Sequence, residues 1–139
     1  MLMLLAVENA MKFAGQFLAG SDRFFKRVER RAIATNVNSP AVAVSIDTGH
    51  AYYAHGSTGA PPVDYYVHAA GNRLQHIHLQ DADGYADRHW SLGEGTLPWR
   101  SVFAALAKLD SNPRLIIEIR DKSKIPASAT YIASLGIAE

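Results

Sequence analysis

A chain of 139 residues, 48% hydrophobic and 19% charged, has the composition of one folded domain and not that of a disordered or fibrous chain. Its formal net charge of +1, with both signs scattered, provides no single-sign field to gather nucleic acid or an anionic membrane, so neither is an expected partner. The absence of cysteine excludes disulfides and thiolate metal sites, and any metal must be held by His, Asp or Glu.

The apolar opening from Met1 to Val7 has no basic flank, ends at Glu8 and is far too short to span a bilayer. It reads as the first strand, Leu2 to Glu8, of a cytoplasmic protein. Ser21 can then cap a helix on which Phe24, Phe25, Val28, Ala32 and Ile33 share a face, with Lys26, Arg27, Arg30 and Arg31 as its solvated side. A second strand runs from Ala41 to Asp47, and Pro61-Pro62 introduces a short helix from Asp64 to Ala70, stopped by Gly71. The third strand, Leu74 to Gln80, is followed by a long loop and a helix beginning near Pro98. There Trp99, Val102, Phe103 and Leu106 repeat at i, i+3, i+4 and i+7. The fourth strand, Arg114 to Ile119, leads to a helix with Pro126 at its start and Gly136 as its stop. This βαβαβαβα order over residues 1–139 calls for one α/β domain with a parallel sheet and right-handed crossovers.

Side chains two apart in a strand share a face. Met3, Leu5 and Val7, then Val42, Val44 and Ile46, then Ile77 and Leu79, then Leu115, Ile117 and Ile119 are the apolar set expected beneath the helices. The opposite parity carries Glu8, Asp47, the pair His76 and His78, and Glu118, so each strand presents an ionisable residue near its C-terminal end on the face away from the helices. Parallel α/β folds keep their chemistry beyond those ends. Three carboxylates and an imidazole converging there repel one another unless a cation sits among them. Oxygen-rich ligands with one nitrogen suit Mn²⁺, Mg²⁺ or Co²⁺, and a more His-rich set Zn²⁺; the donor types do not choose among them, and Mn²⁺ is the expected ion. His76, one step deeper, is expected to be structural, His50 and His89 to fall in loops, and His55 and His68 to lie on the surface.

Five segments then carry a resemblance. Val7-Glu8-Asn9, Asp47-Thr48-Gly49-His50-Ala51, His76-Ile77-His78-Leu79-Gln80-Asp81, Asp87-Arg88-His89 with Gly93-Glu94-Gly95, and Ile116-Ile117-Glu118 resemble, in order, successive motifs of the xylose isomerase-like superfamily of TIM barrels. That superfamily includes sugar isomerases and epimerases, inosose dehydratases and endonuclease IV. The resemblance implies that Glu8, Asp47, His78 and Glu118 are ligands of a single metal, with Glu8 and Glu118 also exchanging protons beside a metal-chelated carbonyl of a sugar or sugar phosphate. It offers His50, His89 and Trp99 as substrate contacts, although the apolar period around Trp99 also suits a core anchor. In an endonuclease IV-like zinc phosphodiesterase acting on abasic DNA, His50, Asp87 and His89 become additional metal ligands. A third reading is a non-catalytic metal-binding or assembly module.

A full (β/α)8 barrel needs about 250 residues. The resemblance therefore implies the C-terminal half, a parallel (β/α)4 half-barrel, whose two exposed sheet edges must pair with something. A homodimer closing an eight-stranded barrel is the expected solution, with a partner half-barrel on a separate chain as the alternative.

Overall fold

The computed structural model describes residues 3–6 and 42–135. Within them the elements are β1 (Met3–Ala6), β2 (Val42–Asp47), α1 (Thr48–Thr58), α2 (Val63–Ala70), β3 (Leu74–Leu79), α3 (Trp99–Leu106), β4 (Arg114–Ile117) and α4 (Ile125–Ser134). Single 3-10 turns at Gly71–Arg73 and Lys122–Lys124 precede β3 and α4. The four strands form one parallel sheet in the order β1-β2-β3-β4. Glu8, the basic helix expected after Ser21 and the stop at Gly136 lie outside the described residues.

The apolar parity is buried as expected in the two central strands. Val44, Ile46, Ile77 and Leu79 join Val63, Tyr66 and Val67 of α2 and Val102, Phe103 and Leu106 of α3 in one core. Each fully buried aliphatic side chain there contributes about 1.5–3 kcal/mol. β4 departs from the expectation: Leu115 is 44% exposed, because the helical layer leaves a cleft between α3 and α4 over this edge strand. Leu115 lines that cleft of about 330 Å³ with Phe103, Leu106 and Ile132.

The helix α1 is a second departure, since no pattern of apolar residues announces it. Two glycines, Gly49 and Gly56, interrupt it, and glycine ordinarily costs a helix interior about 1 kcal/mol relative to alanine. Here both are demanded by close packing. A Cβ on Gly49 would lie 2.5 Å from the Gln80 side chain, and one on Gly56 would lie 2.2 Å from the Gly84 carbonyl oxygen.

The long loop between β3 and α3 is fastened at two points. Asp81, fully buried, accepts from the Ala82 and Leu97 amides through Oδ1 (2.9 and 3.2 Å) and from the Gly93 amide and the Trp99 indole through Oδ2 (2.8 and 2.9 Å). Its backbone forms an antiparallel bridge with Trp90. At the loop's outer side, the Glu94 carboxylate accepts from Lys124 and from the Ser91 amide, which ties Gly93-Glu94-Gly95 to the turn before α4.

Asp81→Asn presents an NH₂ group to N–H donors that now share a carboxylate, so it should cost on the order of 2–4 kcal/mol. Urea unfolding measures it, and a loss below about 0.5 kcal/mol would remove Asp81 as the anchor of the loop. The Lys124 ammonium, and then the Ser91 amide, hold the Glu94 carboxyl below the ordinary glutamate range, while Lys124 is raised in turn by Glu94. The contribution of the carboxylate is therefore complete above that ordinary range and is lost as pH falls through the depressed Glu94 value. An NMR titration of the Glu94 carboxyl should show the low midpoint, and Lys124→Met should return it towards the ordinary one.

Candidate metal centre

The sheet register assembles the first cluster. Asp47 ends β2 and is the register partner of His78 on β3. Glu118 directly follows β4, and its amide donates to the Leu79 carbonyl at 3.0 Å, which keeps it level with the end of β3. Asp47, His78 and Glu118 consequently present ligand atoms that all lie within 4.8 Å of one another. His78 Nδ1 is 2.5 Å from Glu118 Oε2 and 3.9 Å from Asp47 Oδ2. Asp47 is wholly buried and also caps α1, its Oδ1 accepting the His50 amide at 2.8 Å.

A second group lies beside the first. His50, Asp87 and His89 also bring ligand atoms within 4.8 Å of one another. His50 Nε2 and His89 Nε2 face the same Asp87 oxygen, Oδ1, at 3.2 and 3.0 Å. The expectation of a loop position for His50 is corrected. It stands in the first turn of α1, 7% exposed, with neither ring nitrogen making a hydrogen bond among the described residues. A buried imidazole whose nitrogens lie 3.5 Å from Asp47 Oδ1 and 3.2 Å from Asp87 Oδ1 without hydrogen-bond geometry is in the environment of a metal ligand, so the donor set fits a divalent cation. His89 does lie in the loop and has a left-handed backbone, φ 51°, uncommon for a residue other than glycine.

Gln80 links the two groups, a role that its place in the sequence motif does not announce. It is fully buried; its Nε2 donates to both Asp47 oxygens at 2.9 Å and its Oε1 accepts the His89 amide at 2.9 Å. The Thr48 hydroxyl donates to the Gln80 carbonyl at 2.9 Å and accepts from the Gln80 amide at 3.0 Å, continuing the ladder where β2 and β3 have ended. Parity could have found it: Gln80 shares a face with His76 and His78.

Trp99 takes the core-anchor position that its apolar period suits. It is 3% exposed, its ring tilted against Phe103 and its indole N–H donated to Asp81, so it forms the wall behind the loop. His76 lies half-buried behind the cluster, its Nδ1 3.2 Å from Ser45 Oγ and its ring edge-on to His78. His68 is exposed, whereas His55 is half-buried with Nδ1 2.5 Å from the Ala60 carbonyl. Glu8 lies outside the described residues. Among those residues no helix is long and apolar enough to cross a membrane.

Comparison with known proteins bears on these positions. Fructoselysine 3-epimerase of Escherichia coli O157:H7 is 42% identical over 43 residues, which cover 31% of this chain and 16% of that protein. The same values hold for the enzyme of that name from Shigella flexneri. The uncharacterized protein MJ1311 of Methanocaldococcus jannaschii is 28% identical over 97 residues, covering 66% of this chain and 31% of that one. Among solved structures, the TTHB071 protein from Thermus thermophilus, soaked with ZnCl₂, superposes with a TM-score of 0.55 at 23% identity, over 95% of this chain and 57% of that one. The matched stretches thus span at most 31% of these curated relatives. The family model for the xylose isomerase-like TIM barrel matches residues 3–137. With its parallel sheet and the match running through all four strands, this chain belongs to the xylose isomerase-like TIM barrel family.

Proposed function

We propose that this chain carries the metal-binding part of a sugar or sugar-phosphate isomerase or epimerase. The convergence of Asp47, His78 and Glu118 within 4.8 Å carries the reading, and the local similarity to fructoselysine 3-epimerase supports it. Glu8, outside the described residues, is the fourth ligand that the family resemblance implies. Mn²⁺ suits three carboxylates and one imidazole, and Zn²⁺, Mg²⁺ and Co²⁺ compete for the same donors. A cation held by these residues would polarise a substrate carbonyl and so acidify the neighbouring C–H. Glu118, whose side chain is 43% exposed, takes or returns the proton at that carbon, held in place by His78. The resemblance gives Glu8 the partner role in that proton exchange. His50 and His89 contact the substrate hydroxyls or phosphate.

The second cluster supports a rival reading. His50, Asp87 and His89 form a further ligand set of the kind expected for an endonuclease IV-like zinc phosphodiesterase. Metal content separates the two: one ion per chain fits the epimerase, and two or more fit the phosphodiesterase. With the metal in place, solvent deuterium should enter the carbon beside the carbonyl of a substrate ketose or aldose, and chelator should abolish it. Glu118→Gln should lower metal retention about 10- to 100-fold. No exchange into any ketose, aldose or inosose, together with abasic-site cleavage, would replace the first reading by the second.

The sheet is closed by a second copy of the chain. Among the described residues β1 and β4 each pair on one side only, and β4 exposes Arg114, Leu115 and Ile116. Two four-stranded sheets make eight strands, enough for a barrel whose interior is filled by side chains. Light scattering on a sizing column should give the mass of a dimer at micromolar concentration. A stable monomer, or copurification with a different half-barrel, would count against self-pairing.

A further inference from the structure

The geometry points to Gln80 as a positioning residue that sets the two ligand clusters relative to each other, an inference that rests on the metal reading above. An amide has one donating and one accepting end, and here the donating end lies on Asp47, with His89 Nε2 3.5 Å away, while the accepting end takes the His89 amide. The NH₂ end can only face the Asp47 carboxylate and the oxygen end can only face the His89 amide, because the flipped orientation would oppose oxygen to oxygen and N–H to N–H. The assignment of the amide is therefore fixed by its partners.

Each arm restrains a freedom that a ligand would otherwise have. At one end, Nε2 lies 2.9 Å from both Asp47 oxygens, so it holds the plane of that carboxylate; Oδ1 also accepts the His50 amide, and Oδ2 keeps a lone pair for a cation. At the other end, Oε1 holds the amide of a residue whose φ of 51° is costly for a non-glycine. The Arg120 amide donates to the His89 carbonyl at 3.0 Å, so the strained residue is gripped from both sides. The His89 ring is thereby presented to Asp87 Oδ1.

The surroundings leave Gln80 no alternative pose. Its main chain is locked to Thr48, it is wholly buried, and Gly49 has no side chain where a Cβ would come within 2.5 Å of it. The helix start that carries Asp47 and His50 is thus packed directly on the amide linking Asp47 to His89. A residue used only to fill space would not need this match of donors and acceptors.

The test titrates wild type, Gln80→Leu and Gln80→Asn with Zn²⁺ against a competing chelator, and records Co²⁺ absorption bands as a signature of ligand geometry. Both variants should bind Zn²⁺ about 10- to 100-fold more weakly and show displaced Co²⁺ bands. A lower Tm with unchanged Zn²⁺ affinity and unchanged Co²⁺ bands would reduce Gln80 to a packing residue and overturn the inference. Should neither variant fold, the wild type still decides: the NMR signals of the Gln80 side-chain amide should move on Zn²⁺ addition, and static signals would overturn the inference. Wild type that takes up neither Zn²⁺ nor Co²⁺ would sink the metal reading itself and this role with it, whereas failure of Gln80 alone leaves wild-type binding intact.

Discussion

In a parallel sheet each strand delivers its last residue to the same rim, and the register between neighbours decides which side chains meet there. Asp47 faces His78 across β2 and β3, and the Glu118 amide is bonded to the end of β3. A slip of one residue on any of these strands would turn its ionisable group into the core and bring an aliphatic one to the rim. The packing of Ile46, Ile77 and Leu79 under the helices, all at most 2% exposed, opposes that slip. The hydrophobic core on one side of the sheet is therefore what holds a charged cluster together on the other.

Holding such a cluster has an electrostatic cost. Asp47 is fully removed from water, and a buried carboxylate is tolerated only with hydrogen bonds or opposite charge around it. The amide of His50 at the start of α1 and the side chain of Gln80 supply those hydrogen bonds. A helix N-terminus adds partial positive charge at the same place. These neutral donors let the carboxylate stay available at the rim, where a cation can complete its neutralisation.

Much of this is legible in the sequence because it depends on alternation. The four strands, the helices at Val63–Ala70 and Trp99–Leu106, and the shared parity of Asp47, His78 and Glu118 follow from where apolar residues recur. What escapes is set by close contact between elements. Gly49 and Gly56 read as breaks in any helix until the Gln80 side chain and the Gly84 backbone are seen to occupy the space of their missing side chains. His50 consequently reads as a loop residue although α1 buries it. Leu115 departs for the converse reason: alternation predicts which way it faces but not whether a helix covers it, and over the edge strand α3 and α4 stand apart.

Gln80 and Asp81 show how far the two kinds of information complement each other. They are adjacent, both fully buried, and by strand parity they leave β3 on opposite sides. Gln80 turns to the rim with the histidines and joins Asp47 to His89, while Asp81 turns to the core side and joins the loop backbone to Trp99. One polar residue thus links the two clusters and its neighbour fixes the loop that carries Asp87 and His89. Since that loop also holds His89 in a left-handed conformation, its anchorage by Asp81 is what allows Gln80 to act on a rigid target. Placing Asp87 and His89 within reach of His50 requires both.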